Sequence, residues 1–334
     1  MSVKQSDIAE KLGISRVTVT KALQNSSDIS EGMKKKVREI AKEMDYIPNL
    51  TARSLTAKKT KTIGIVLPDI TNLYFSSIVR GMMEIAEKNE YSIILTASRE
   101  NSKKESENIF KLLSMKVDGL LVCQSLDTVE IEIFEKVKKR KVPLVFFGRP
   151  VGFSGFDSIG FDDYLAAQKL TEYVLSKGKT KIAHISGDIT SDGGYRLNGF
   201  LDTMRKHNLK VKEEWVIKGK YFPEYGYDGF NKIYTSGEFP EVIFCGNGMI
   251  ARGVFDAARG KGMKIPDDFC VVAIDHKTYA DMLYPKLTYI DYPTRTLGHE
   301  AMKLLLNKIE NENAGNKVEN ITLNTFLVEN ESMD

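Results

Sequence analysis

Few of the side chains able to do covalent chemistry stand at spacings that would let them act together. The four histidines, His184, His207, His276 and His299, are scattered and show no paired metal-ligand spacing. Asp162 and Asp163 are adjacent acids, and chain neighbours usually point apart, so a catalytic carboxylate pair is not expected. "SKGKTK" around Gly178 has the ending of a phosphate-binding loop, yet that motif's first glycine would fall on Tyr173. "TIGIVLPD" lacks the second and third glycines of a dinucleotide fingerprint. Cys123, Cys245 and Cys270 lie far apart in apolar runs, which reads as buried free thiols in a reducing compartment. The expectation is a chain that is not an enzyme, with no catalytic residue, metal or cofactor.

The chemistry that does stand out is recognition of a polyanion. Residues 1–60 hold 12 Lys/Arg against 7 Asp/Glu, whereas the rest of the chain has 36 against 38, so the basic excess is confined to the N-terminal sixth. Within it, "KLGISRVTVTKALQNSSDIS" (Lys11–Ser30) is too polar for a buried helix and too regular for a loop. Asp7–Leu12 reads as a short helix with Ile8, Ala9 and Leu12 on one face. Gly13 supplies a tight turn, and Ser15 caps a second helix that turns Val19 and Leu23 inward. Arg16, Val17, Thr20 and Lys21 are left facing outward. A third helix, "SEGMKKKVREIAKEMDY", carries Val37, Ile40, Ala41 and Met44 as its apolar stripe. This is the pattern of a helix-turn-helix whose second helix enters the major groove.

The elements beyond this head alternate between strand and helix. The 334 residues are 42% hydrophobic and 28% charged, ordinary for a soluble globular protein, and no apolar run approaches the roughly 18 residues of a membrane span. The first residues lack the apolar centre of a signal peptide, so a cytoplasmic protein with no membrane partner is expected. "KTIGIVLP", "YSIILTAS", "DGLLVCQS" and "VPLVFFG" read as strands of one parallel unit, separated by helices near 74–88, 103–115 and from Val129. "KIAHISG", "WVIKG", "EVIFCG" and "FCVVAID" read as a second unit, with helices over 163–176, 194–207, 225–234 and 249–260. The fold class is an all-α helix-turn-helix head followed by a two-lobed α/β body of doubly wound parallel sheets, of the periplasmic-binding-protein type.

"SDIAEKLGISRVTVTKAL" followed by "VREIAKEMDYIPNLTARSL" resembles the DNA-binding head of the LacI/GalR (lactose/galactose repressor) family, and the resemblance runs along essentially the whole chain. One early departure is Lys4, where the family usually has a threonine capping the first helix. The resemblance implies a helix-turn-helix domain at 1–47 and a hinge helix and linker at 48–60. One lobe is then 61–161 plus 292–322, and the other 162–291 plus 323–334. It implies DNA contacts from Ser6, Ser15, Arg16, Val17, Thr18, Thr20, Lys21 and Asn25. Hinge contacts come from Ala52 and from Leu55, which matches the residue that wedges into the minor groove.

Matching of the cleft loops implies effector contacts from Tyr74, Phe75, Arg149, Arg196, Tyr221, Asn247 and Asp275. Arg196 in "GGYRLNGF" has a planar guanidinium suited to vicinal hydroxyls or a carboxylate, Tyr221 is an aromatic wall for a sugar face, and Phe75 serves ligand or core alike. Arg149 in "FFGRP" reads as a cleft cation or a plain surface one, beside Gly148. Gly248 and His276 replace the family's usual acids, leaving the helix cap after Asn247 open to question and His276 either on a solvent-facing loop, the favoured reading, or in the cleft as a pH-sensitive group or a contact to an anionic group. The function implied is a homodimeric, sequence-specific transcriptional repressor of a near-palindromic operator on double-stranded DNA, controlled by a small effector, a sugar foremost. A phosphorylated ligand, a nucleobase or a protein corepressor stays open as the alternative. The tail after Glu329 is short for a tetramerising coiled coil, which favours a dimer. An enzyme with an accessory DNA-binding head would betray itself by turning over a sugar. A structural DNA binder would be indifferent to every metabolite.

Overall fold

The computed structural model describes residues 3–47, 59–128, 131–149, 154–187, 192–311 and 317–334. The chain divides into two compact units, 1–60 and 61–334.

In the first unit, helices α1 (Gln5–Leu12), α2 (Arg16–Leu23) and α3 (Glu31–Glu43) enclose a small core of Ile8, Val19, Ala22 and Val37. Gly13 turns the chain at φ 65°, and Ser15 Oγ accepts from Thr18 N at 3.1 Å to start α2. Leu23 is only half-buried, and Ala22 fills the inward position beside Val19, because three short helices leave room for a small side chain at their crossing. Lys4 cannot accept a hydrogen bond through its ammonium, but its backbone N–H donates to Asp7 Oδ2 at 2.9 Å. Half of a capping box therefore remains without the threonine. Pro48, Asn49, Leu50, Ala52 and Leu55 of the expected hinge lie outside the described residues.

The second unit is built on two six-stranded sheets. The first has strand order β11-β5-β4-β3-β1-β2, from β1 (Thr62–Leu67), β2 (Ser92–Ala97), β3 (Gly119–Val122), β4 (Leu144–Phe147), β5 (Asp157–Phe161) and β11 (Asn320–Leu323), all parallel. The second has order β12-β10-β9-β8-β6-β7, from β6 (Ile182–Ile185), β7 (Val216–Ile217), β8 (Val242–Cys245), β9 (Cys270–Asp275), β10 (Thr288–Asp291) and β12 (Phe326–Val328), with only β12 antiparallel. Continuous apolar runs such as "TIGIVL" and "CVVAID" form the central strands because helices cover both faces. These helices are α4 (Leu73–Lys88), α5 (Ser102–Ser114), α6 (Glu132–Lys139), α7 (Asp163–Ser176), α8 (Asp192–Lys206), α9 (Pro223–Thr235), α10 (Gly248–Gly260), the short α11 (Lys277–Ala280) and α12 (Thr294–Glu310).

Three differences from the sequence reading have local causes. β5 carries only two buried residues in five, Ile159 and Phe161, so hydropathy does not mark it as a strand. "WVIKG" shrinks to the two residues of β7, an edge position preceded by a 3-10 turn at Glu213–Trp215. Val129 lies outside the described residues, and α6 begins at Glu132. The chain passes between the sheets after β5, after β10 and after β11, and Phe161 stacks on Tyr292 at 4.3 Å where two of these passages meet. All three cysteines are buried and free, and no helix among the described residues is long and apolar enough to cross a membrane.

His184, on β6, is wholly buried, stacked on Phe200 at 5.1 Å and edge-on to Phe244 at 4.6 Å. Among the described residues neither ring nitrogen finds a well-formed hydrogen bond. Burial, helped by the Arg196 charge, lowers its pKa to about 3. A histidine held neutral in the fold takes up a proton more readily when unfolded. Its stabilising share is therefore complete above the unfolded pKa of about 6.5 and shrinks by up to about 1.4 kcal/mol per pH unit below it. Replacing it in His184→Leu should make the melting temperature fall less between about pH 7 and about pH 5 than in the parent. Equal falls would show that His184 is not the acid-sensitive group.

Candidate functional site

Two places bring the expected residues together. On the head, Arg16 and Val17 stand outward at the start of α2, with Val17 64% exposed. Lys21 is exposed but rests on Asp28 at 2.8 Å, a surface pair that water and DNA phosphates can easily displace. Thr18 shares a hydroxyl contact with Ser15 at 2.9 Å, so both brace the start of the helix. Thr20 does not project freely, as its hydroxyl lies within hydrogen-bond reach of Gln5 Oε1 at 2.7 Å and Arg16 O at 3.0 Å, tying α2 to α1. Asn25 sits at φ 59° and accepts from Arg38 at 3.0 Å, while exposed Ser6 donates to Asp7 at 3.1 Å. Ala52 and Leu55 fall outside the described residues.

In the body, Tyr74, Phe75, Arg149, Arg196, Tyr221, Asn247 and Asp275 all line one cavity of about 690 Å³ between the two sheets. Parallel strands end on the same edge, so the loops after β1, β4, β8 and β9 converge there. Asn72 Oδ1 accepts from Tyr74 N at 3.0 Å and caps α4, which sets Tyr74 at the cavity wall. Phe75 lies edge-on to Tyr74 at 5.2 Å, and it is also buried in the lobe core.

Several side chains are less available than the sequence suggests. Arg149 is no loose cation. It donates to both Glu100 oxygens at 2.9 and 2.6 Å and to Gln124 O at 2.8 Å, so its charge is closed by an acid 49 residues upstream. Arg196 is 6% exposed, and its Nε donates to Asp163 Oδ1 at 2.7 Å and its Nη1 to Gly246 O at 2.5 Å. The rings of Tyr221 and Tyr292 each lie 5.4 Å from its guanidinium carbon. The Tyr292 hydroxyl donates to the same Asp163 oxygen at 2.7 Å, and burial, with Asp163 beside it, holds that phenol well above its usual pKa.

The β8 and β9 loops interlock. Asn247 Oδ1 accepts from Ile250 N at 2.9 Å, so the cap of α10 is intact and the doubt raised by Gly248 falls away. Gly248 donates its N–H to Asp275 Oδ2, and a β-carbon there would collide with that carboxylate and lie 2.6 Å from the Tyr279 ring. Asp275, 8% exposed, also accepts from His276 N at 2.7 Å, so each of its oxygens already serves one backbone amide and offers its second lone pair. His276 is not on a solvent-facing loop: it is 2% exposed and lines the cavity opposite Tyr74, because the amide bond to Asp275 folds it inward.

Asp163, Tyr292 and Glu100 are the site residues that sequence reasoning missed, and His276 is the one it left between a ligand contact and a solvent-facing loop. Asp162 caps α7 by accepting from Leu165 N at 2.8 Å, which sends the neighbouring Asp163 inward, and that alternation was the available signal. Among the described residues, no group of three His, Cys, Asp or Glu side chains could hold a metal ion.

Comparison with known proteins places the chain's two units in one family. The model of bacterial regulatory proteins of the lacI family matches residues 5–49, and that of periplasmic binding proteins and the sugar-binding domain of the LacI family matches residues 60–330. Catabolite control protein A of Streptococcus mutans is 32% identical over 311 residues, 92% of each chain. The HTH-type transcriptional repressor PurR of Serratia proteamaculans is 29% identical over 330 residues, 98% of this chain and 96% of that one. In fold, the chain is similar to the lac repressor dimer bound to operator and the anti-inducer ONPF, with a TM-score of 0.88, 22% identity, and 100% and 99% of the two chains covered.

The Arg196–Asp163 pair makes a separable demand on stability. Asp163→Asn removes the compensating charge and should cost about 3 kcal/mol or more in urea unfolding, since a buried cation loses its anion. Adding Arg196→Met should restore a good part of that loss. Losses that simply add across the two substitutions would mean the pair is not coupled.

Proposed function

The chain belongs to the LacI family of bacterial regulatory proteins and is thus a DNA-binding transcriptional regulator with a ligand-binding domain; from that premise we propose a sugar-controlled homodimeric repressor acting in the cytoplasm. Two heads read the halves of a near-palindromic operator, because a two-fold dimer presents two recognition helices to symmetric half-sites. The dimer on operator is supported by the fold shared with the lac repressor dimer bound to operator, and repression by the similarity to the repressor PurR.

One observation carries the sugar reading. Arg149 and Arg196 are closed by Glu100 and Asp163, so the lining around Tyr74, Tyr221, Asn247 and Asp275 offers hydrogen-bonding groups and aromatic rings, with Arg99, Lys220, Asp69 and Asp127 as the charged groups elsewhere on it. Its volume of about 690 Å³ suits a mono- or disaccharide. Tyr74 and Tyr221 serve as walls, Asn247 keeps an amide to donate, and Asp275 keeps lone pairs for hydroxyls. Binding that draws the lobes together changes operator affinity only through different affinities for the two lobe arrangements.

A thermal-shift panel of sugars, sugar phosphates and nucleobases on the full chain tests the reading. Stabilisation confined to nucleobases or phosphorylated compounds would replace it. Asn247→Asp keeps a helix-capping oxygen but turns the amide donor into an acceptor. It should weaken binding of the sugar the panel identifies by about tenfold or more while melting temperature and operator binding hold. Undiminished calorimetric affinity would remove Asn247 from the site.

Operator preference follows from the outward face of α2. Replacing Arg16 and Val17 together should alter the half-site selected from a random DNA library, as each good base contact discriminates by roughly 1–3 kcal/mol. Salt-dependent nonspecific binding should stay nearly the same. An unchanged selected half-site would overturn the assignment.

A further inference from the structure

Three of the four histidines have an ordinary explanation. His207 lies 2.8 Å from Glu172 and His299 lies 2.7 Å from Glu84, both at the surface of the fold. His184 is enclosed by Phe200 and Phe244, away from the cavity lining. His276 has no such explanation. Its ring is 2% exposed, both nitrogens are buried, and neither makes a well-formed hydrogen bond among the described residues. Buried polar atoms almost always have a partner, and those that lack one in the protein need one from elsewhere. The space that His276 lines is the cavity, where its ring lies 6.2 Å from Tyr74 of the opposite lobe, inclined by 33°.

The charges around the ring decide which partner fits. Nδ1 lies 3.1 Å from Asp275 Oδ1, off the angle of a good hydrogen bond but close enough for strong electrostatic attraction. Asp291, at the end of β10, accepts from Lys277 N at 3.0 Å and is the other acid close enough to feel the imidazole. Tyr74 is the titratable group that faces the ring from across the cleft. A carboxylate beside Nδ1 favours the proton on Nδ1, which leaves Nε2 presenting a lone pair. Together with the spare lone pairs of Asp275, this makes an acceptor-rich corner flanked by negative charge.

We infer that His276 is a further effector-contacting, specificity-determining residue, whose Nε2 accepts a hydrogen bond from a neutral donor group of the ligand lying against Tyr74. The inference rests on the effector reading above and narrows it: a hydroxyl or amine fits this corner, and a phosphate or carboxylate is repelled from it. Gly248 belongs to the same arrangement, since its missing side chain lets Asp275 settle beside the ring.

Two variants and one spectrum test this on the full-length protein. Asparagine reaches about as far as Nδ1, whereas glutamine places an oxygen near the position of Nε2. The probes are D-glucose, cellobiose, adenine and D-glucose 6-phosphate, followed by calorimetry. The probe that binds the parent best should lose about tenfold in affinity with His276→Asn and recover most of it with His276→Gln, with D-glucose 6-phosphate the weaker of the glucose pair. Equal affinity in parent and His276→Asn, or a preference for the phosphorylated sugar, overturns the inference. Nitrogen-15 spectra of the parent alone should show, beside the imidazole of His184, a second ring with its proton on Nδ1 and a bare Nε2, whose signals vanish in His276→Gln. A proton on Nε2 overturns it as well. A panel in which no probe binds the parent counts against the sugar reading, and the spectrum then decides on His276 by itself.

Discussion

A full positive charge withdrawn from water is the constraint around which the body is arranged. Arg196 has little contact with solvent, and an uncompensated guanidinium there would cost several kcal/mol. Its compensation comes from Asp163, at the first turn of the helix entered directly from β5. The same carboxylate oxygen receives the hydroxyl of Tyr292, which lies on the return passage after β10. One atom therefore joins a cavity-wall cation to two of the three places where the chain passes between sheets. The stack of Phe161 on Tyr292 packs that junction from the apolar side. A ligand that engages Arg196 acts on the group that also sets the crossovers, which is a physical route from occupancy to lobe arrangement.

A second arginine of the cavity lining is handled the same way. Arg149 closes on Glu100, and Glu100 also accepts from Leu126 N at 3.0 Å. Arg99 and Glu100 both hold positive φ, 57° and 55°, a strained pair of conformations for residues with side chains. The ion pair and the backbone acceptor contact stabilise that loop against its strain. Nearby, buried Glu105 accepts from Ser125 N at 2.6 Å and Thr128 Oγ1 at 2.9 Å, and burial raises its pKa. Glu100 and the helical Glu105 thus both hold the backbone of the loop after β3. Around Arg149 and Arg196, what remains open to a ligand is hydrogen bonding and ring contact.

How much of this could be read in the sequence depends on the distance over which the information acts. The head was legible, because Gly13, the Ser15 cap and the Val19 position are all set by neighbours within a few residues. The two-sheet body was legible from its apolar runs, except at β5 and β7, where few residues are buried and hydropathy is silent. The cavity residues could be named by resemblance, yet their charge states could not. Arg149 and Glu100 are 49 residues apart, and Tyr292 and Asp163 are 129 apart. Such pairings are made by topology, so Arg149 looked like a free cation and Asp163 like an idle neighbour of Asp162.

The departures from the family pattern follow a common rule: each is answered within its own neighbourhood. Lys4 cannot cap α1 with its side chain, and Asp7 supplies the carboxylate that engages its backbone N–H. Gly248 loses the usual acid, and the vacated space admits the carboxylate of Asp275, held by the glycine's own amide. Once Asp275 turns that way its other oxygen takes the amide of His276, which draws the imidazole into the cavity. Gly248 and His276 are therefore one change and not two. A side chain at 248 would push Asp275 back and release the histidine, whereas a second acid at 276 would set two carboxylates side by side in a buried corner. The substitutions are mutually permissive, and what they build is a carboxylate and an imidazole side by side at the cavity wall.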